Sequence, residues 1–350
     1  MPLFLDLHKA GDYEAKPTAE EIKKNHIADL SVQEKYGVRF IQYWINEDQG
    51  MVFCLMEGPD KESCAAVHRE AHGNMPCNVI ELKGGDYKTY LGEEGKANQF
   101  DIVENTDGTF DSGTRIFISI DLLPLENPSA SYNIIRDAFT TFYGREISHP
   151  GDRLLAVFNS AQQASGCAAS ILKRLKEIKK TDVQIGIGAG YPLTDKDNFF
   201  EAGVNLALRH CDVATDGHVF VAANVKGLSG TSFESDKSDT FRIITVEEGR
   251  FINRLLDIIQ PSLDQPDLNV DGICKQIGIS RAQLYRKLVS ITGMAPNNFI
   301  KQLRLKKAVR LIKRNKGNIA QVAYESGFNN PSYFSTIFQK RFGILPSELS

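Results

Sequence analysis

The feature that most constrains this chain is a helical arrangement that occurs twice in its last hundred residues. In VDGICKQIGISRAQLYRKLV, beginning at Val270, an apolar-periodic helix runs into Gly278, which suits left-handed backbone, and Ser280 then caps a second helix. About fifty residues later the design returns in IAQVAYESGFNNPSYFSTIFQKRF. There Gly327 turns the chain, Asn330 caps, and Pro331 occupies a first-turn position where a missing N–H does no harm. Both stretches have helix-turn-helix spacing. Between them FIKQLRLKKAVRLIKRNK predicts an amphipathic helix with Leu303, Leu311 and Ile312 inward and Lys306, Lys307, Arg310, Lys313 and Arg314 outward. Residues 251–350 are thus expected to form an all-α domain.

Charge separates this domain from the rest. The chain carries −3 overall, yet residues 251–350 hold 15 Lys and Arg against 6 Asp and Glu, while residues 1–250 hold 26 against 38. A basic tail on an acidic body points to a polyanion as the tail's partner. Leu284 and Leu288, or Phe334 and Phe338, are expected to bury one face of each second helix and leave the other for a major groove. On that face Arg281, Gln283 and Arg286 are candidates to read bases, with Asn330, Ser332 and Thr336 in the second unit. Arg chelates guanine and Gln pairs with adenine, each contact discriminating by about 1–3 kcal/mol. Lys307 is the candidate backbone contact. The stretches SRAQLYRKL, GMAPNNFIKQLRLKKA, IAQVAYESGFNNPSYFSTIFQKRFG and the terminal PSEL resemble the DNA-binding domain of the AraC/XylS family of transcription regulators. That resemblance implies seven helices, two of them entering successive major grooves, under a separate sensing domain.

The middle region, 113–247, reads as a second α+β domain. Its strands are TRIFISIDLL, RLLAVF, VQIGIGAG and HVFVAA, and its helices lie near Tyr132–Tyr143, from Ser160 to about Lys179, and near Gly203–Ala214. Asp121 ends an apolar strand and Asp152 follows Gly151 at a hairpin turn, so the two carboxylates are candidates to hold hard cations around a triphosphate. Asn205 and Arg209 lie four apart on one helix face, placed to orient and neutralise a transferring phosphate. IDLL, GDRLLAVF, IGIGAG and VNLALR together resemble the class III nucleotide cyclase domain. By that resemblance Asp121 and Asp152 are metal ligands and Asn205 and Arg209 the transition-state pair, with magnesium and a nucleotide bound across a homodimer. Ser148 and Asn198 stand where the family's adenylate cyclases carry a base-selecting lysine and aspartate, and Pro150 alters the turn, so a non-catalytic module is the expectation.

Residues 1–83 order as βαββαβ: LFLDLH, a helix from Thr18 to about Glu34, VRFIQYWI, MVFCLME, a helix from Asp60 to about His72, and NVIEL. This predicts a ferredoxin-like sandwich with both helices on one face of an antiparallel sheet. His68 and His72 stand at i and i+4 on a helix, a spacing that lets two imidazoles meet one metal ion. His26 and His8 are the next candidates, with Cys54 and Glu57 nearby on the third strand. Imidazole and thiolate suit nickel, zinc or copper rather than magnesium. The text from DLSVQEKYG to HREAHG resembles a small family of ferredoxin-like domains that includes a nickel-binding member. Residues 84–112, rich in Gly, Asp, Glu and Asn, read as a linker with one short hairpin.

With 350 residues the chain has room for these domains without small-domain staples. Its six cysteines form no CxxC pair, no apolar run is long enough to span a membrane, and Met1–Pro17 lacks a signal-peptide pattern, so a reduced, cytoplasmic setting is expected. The resulting expectation is a multidomain protein with an α+β ferredoxin-like domain, an α+β cyclase-like domain and an all-α double helix-turn-helix domain. It would act as a homodimeric transcription activator whose first domain senses a metal or a small ligand, with double-stranded DNA and RNA polymerase as partners. The alternative is a nucleotide cyclase or nucleotide-binding enzyme with an accessory DNA-binding tail.

Overall fold

The computed structural model describes residues 1–9, 18–82, 86–92, 97–105, 108–124, 128–149, 153–178, 181–215, 217–228, 240–314 and 317–349. The chain divides into two compact units: residues 1–117 with 157–159 and 189–205, and residues 118–156 with 160–188 and 206–350.

The first unit follows β1 (Leu3–Lys9), α1 (Ala19–Val32), β2 (Arg39–Asn46), β3 (Met51–Glu57), α2 (Lys61–Ala71), β4 (Asn78–Leu82) and α3 (Asp86–Leu91). Thr18 and Glu21 close a capping box that fixes the start of α1, and Asp60 caps α2 by accepting the Ser63 N–H at 2.8 Å. The strands form one sheet in the order β2-β3-β1-β4, with every neighbouring pair antiparallel. Because side chains alternate along β1, Phe4, Asp6 and His8 share one face. Phe4 packs there with Ile22 of α1 and Cys64 and Val67 of α2, which places both helices on that face. Leu5, Leu7, Phe53 and Leu55 on the opposite face are also fully buried. Gly113, at φ +71°, approaches that face so closely that a Cβ would lie 3.2–3.4 Å from Pro192, Trp44 and Phe53.

Within the segment expected as a linker, α3 folds and residues 97–105 and 108–110 carry local pairings. Ile102 bridges Tyr43 at the edge of β2, and Glu104 bridges Phe110 as a short hairpin. Arg115 ties this segment down from a buried position: its guanidinium donates to Asp111 and to the carbonyls of Tyr90, Leu91 and Thr114. The polar, acidic composition conceals this order, which comes from long-range bonds and from a few buried apolar side chains, Tyr87, Leu91, Ile102 and Val103.

The remaining elements are β5 (Arg115–Pro124), α4 (Pro128–Thr141), β6 (Arg145–Ile147), β7 (Leu154–Phe158), α5 (Ala161–Leu175), β8 (Thr181–Gly190), α6 (Glu201–Val213), β9 (Val219–Ala222), α7 (Ala223–Lys226) and β10 (Phe241–Ile244). Their strands form a six-stranded sheet in the order β10-β9-β8-β5-β7-β6, with β8, β9 and β10 parallel. In the second unit α6 lies directly on β8. A Cβ at Gly186 would meet the Cys211 amide nitrogen at 2.2 Å and the Ala207 carbonyl at 2.3 Å, so only glycine permits the approach.

The helical tail comprises α8 (Val246–Ile259), α9 (Val270–Ile277), α10 (Arg281–Thr292), α11 (Pro296–Lys313), α12 (Ile319–Glu325) and α13 (Pro331–Phe342). It begins one residue after β10, where Thr245 and Glu248 form a capping box. Val213, Phe220 and Ile244 of the sheet domain share one core with Leu255, Leu256, Leu284, Leu288, Phe299 and Leu303. A second core joins Leu305, Ala308, Val309 and Ile312 to Phe328, Phe334, Phe338 and Phe342. Helix α11 therefore serves two cores and is buried on more than one face, which overturns the simple amphipathic reading. Lys306, expected outward, is buried, and Leu311, expected inward, is only partly so. No helix among the described residues is long and apolar enough to cross a membrane.

Candidate metal centre and nucleic-acid interface

Three elements of the first unit converge on a pocket of about 50 Å³. Strand β1 brings His8, with Asp6 on the same face behind the lining, α1 brings His26 and Asp29, and α2 brings His68 and His72, each pair at the spacing that puts two side chains on one face. His68 is the hub. Its Nε2 lies 2.8 Å from the Asp6 carboxylate, and its Nδ1 lies 3.1 Å from Asp29 Oδ1 and 3.4 Å from His72 Nε2. His72 Nε2 in turn lies 3.2 Å from Asp29 Oδ1, and His8 Nε2 lies 3.5 Å from Asp6 Oδ1.

The electrostatics follow from this enclosure. Burial opposes a charge on His68, but Asp6 and Asp29 on its two sides outweigh it and raise its pKa to about 10. Burial likewise opposes ionisation of Asp6 and Asp29. The facing histidines prevail and hold both carboxyls below the usual range. Cys54 also lines the pocket, and burial pushes its thiol well up, so it stays neutral.

The donors fit a borderline transition metal. Asp29, His68 and His72 place ligand atoms within 4.8 Å of one another, as do Asp6, His8 and His68. His8 Nε2 is buried without an aligned hydrogen bond, as expected of an atom oriented toward a ligand. The volume admits one ion with a few waters, at about 10–15 Å³ each. With Nδ1 of His68 facing Asp29 and His72, the Asp6 contact to its other nitrogen is the outer hydrogen bond that orients a ligating imidazole.

Of the four predicted histidines, His68, His72 and His8 come together. His26 lines the same pocket but bonds Asp101 at 3.2 Å, and Glu57 is taken by Arg39. Asp6 and Asp29 were not among the expected residues. Their signals were spacing: Asp6 stands two before His8 on a strand, and Asp29 three after His26 on a helix.

In the tail both turns take the expected form. Gly278 has φ +78° and Gly327 φ +86°. Ser280 caps α10 and Asn330 caps α13 through the Tyr333 N–H at 2.9 Å. Leu284, Leu288, Phe334 and Phe338 are buried, and Ala282, Tyr285, Arg286, Ser332, Tyr333 and Thr336 are exposed on the opposite faces. Several candidate readers have local partners. Gln283 completes the Ser280 capping box, Arg281 pairs with Asp271, Thr336 donates to the Ser332 carbonyl, and Lys307 lies 3.6 Å from Asp264. Asn330 is engaged as the cap itself.

The middle-domain candidates are placed differently from the expectation. Asp121 is buried and paired with Arg310 and, at 3.8 Å, with Arg153. Arg209 donates to the Asn253 carbonyl at 2.9 Å and to Asp257 at 2.6 Å, and Asn205 is exposed. Asp152, with Gly151 and Pro150, lies outside the described residues.

A family model described as a helix-turn-helix domain matches residues 273–350, and one described as nickel responsive protein SCO4226-like matches residues 4–82. The chain is 34% identical over 118 residues to histidine kinase P4 of Formosa agariphila, covering 33% of this chain and 9% of that protein. It is 31% identical over 83 residues to the HTH-type transcriptional activator RhaS of Escherichia coli, covering 24% and 30%. The chain thus spans less than a third of the length of these two relatives. Among solved structures, SCO4226 from Streptomyces coelicolor is 30% identical, with 24% of this chain and 98% of that one covered and a TM-score of 0.22.

Proposed function

We propose, for a chain that joins an AraC-type helix-turn-helix tail to an SCO4226-like N-terminal domain, that it is a sequence-specific DNA-binding transcription regulator controlled by a transition metal. The observation that carries the reading is the pair of capped, glycine-turned helix units whose second helices bury one apolar face and expose the other. Arg281, Arg286, Ser332 and Thr336 are the side chains we assign to base edges, with Gln283 and Asn330 contributing through the helix starts and Lys307 at the phosphates.

The N-terminal domain, ferredoxin-like in strand order, is the sensor in this reading. Asp29, His68 and His72 would hold nickel, or zinc as the competing ion, with His8 able to join and Asp6 orienting His68. Magnesium with a nucleotide draws no support from the middle region, because Asp121 is already neutralised by arginines. We read that cyclase-like region as the body of a cytoplasmic homodimer, whose paired tails present an RNA polymerase with a fixed upstream platform.

Selection of bound duplexes from a random pool by the full-length protein tests the reading. Enrichment of a motif with paired half-sites supports it. Recovery of no motif, with or without nickel and zinc, overturns it.

A further inference from the structure

Three tail cations are engaged by carboxylate-bearing residues of the same unit rather than left to solvent alone. Lys306 and Arg310 on α11 and Arg341 on α13 each meet the sheet domain of the second unit. Lys306 is buried and its ammonium donates to the Asp212 carbonyl at 3.1 Å. Arg310 pairs with Asp121 at the middle of β5, and Arg341 pairs with Asp182 at the start of β8. Arg153 joins Asp121 to Asp212, and Gln260 donates to the second Asp212 oxygen at 3.0 Å. All three carboxylates are more than nine-tenths buried. The apolar core is continuous from β9 and β10 into α8, α10 and α11. Meanwhile Arg286, Ser332, Tyr333 and Thr336 stay exposed with the ion pairs in place.

We propose that the sheet domain is a docking surface for its own DNA-binding tail, and that Asp121, Asp182 and Asp212 commit Lys306, Arg310 and Arg341 to holding the recognition helices in one orientation while DNA is read. These cations are then structural and make no phosphate contact. The partner of this acidic face is this chain's own α11 and α13 rather than a cation or nucleotide. The inference stands apart from the metal reading, since it needs only a tail that binds DNA.

The test uses the full-length protein with Cys77→Ser and spin labels at exposed positions, through Glu177→Cys on the sheet domain and Lys340→Cys on the tail. The variants are Arg310→Gln, and Arg341→Gln at the more exposed edge of the network, which is the safer one for folding. Pulsed dipolar spectroscopy should give a narrow label-to-label distance in the parent and a broadened one in each variant and in their combination. The salt dependence of binding to a random-sequence duplex is the second readout, where each phosphate contact contributes about 0.9 to the slope of log K against log salt. It should be unchanged in both variants and fall in Lys307→Ala. A distance that stays narrow in the double variant overturns the proposal, because the apolar core would then hold the tail unaided. A slope that drops by about 0.9 per substitution also overturns it, because the cations would be DNA contacts.

Discussion

Replacing His68 with Gln should unbalance the buried triad more severely than any other single change in the N-terminal domain. In the metal-free protein an imidazolium lies between two carboxylates, each at least 97% buried, with Asp6 2.8 Å from one ring nitrogen and Asp29 3.1 Å from the other. A neutral amide keeps one hydrogen bond at most and removes the cation that lies between the two buried carboxylates. Removing one partner of a buried pair costs about 3–5 kcal/mol. The rise of the His68 pKa from 6.5 to about 10 corresponds independently to roughly 4–5 kcal/mol. The sign fixes the pH window. A pKa raised on folding stabilises fully below the unfolded value of 6.5, and that stabilisation is lost as pH rises through about 10. Urea unfolding in chelator can be followed by the one tryptophan, Trp44, which is buried on β2 of this sheet. With m near 1–3 kcal/mol per molar, the variant's midpoint at pH 6 should fall by more than about 1 M. The gap between the two proteins should close toward pH 10. A gap below about 0.5 kcal/mol at pH 6, or one that persists unchanged to pH 10, would refute the charged-triad argument.

Nickel binding at pH 7 must remove the proton from His68 Nδ1, so calorimetry in buffers of differing ionisation enthalpy should read about one proton released per ion. Saturation at a hundred times Kd should stabilise the Trp44 transition by about 2.7 kcal/mol, and His72→Ala should abolish both effects. Gly186→Ala forces a Cβ into the backbone of α6 and should lower stability by about 1–3 kcal/mol or more, measured by thermal unfolding; a near-neutral result would mean that α6 does not lie on β8 as described. Arg281→Ala should relax base preference at one position of a selected motif, at a cost of about 1–3 kcal/mol. Lys307→Ala should weaken all sequences alike, and competition binding across single-base variants of the motif separates the two.

What was legible in the sequence was what local chemistry decides. The helix-turn-helix units could be read because a glycine at positive φ, a capping side chain and a first-turn proline act within a few residues of one another. The βαββαβ order and the His68–His72 pair were legible for the same reason. What stayed hidden depended on partners far along the chain. Asp6 and Asp29 are absent from the sequence candidates because nothing near them in sequence shows that helices close over them. Lys306 and Arg310 looked like outward cations because their acceptors, Asp212 and Asp121, lie about 90 and 190 residues away. Asp121 looked like a metal ligand because an acid at the end of an apolar strand is consistent with a cation of either kind, and here the cation is a guanidinium.

The most direct test of the account is the affinity of the full-length protein for its selected duplex, measured at fixed ionic strength with and without nickel, for the parent and for Asp29→Asn. The account predicts that nickel changes the parent's Kd by about 5- to 150-fold, the range of a coupling worth roughly 1–3 kcal/mol, and leaves the variant's unchanged. Specific binding that is identical with and without nickel, in a parent shown to carry the ion, would contradict it.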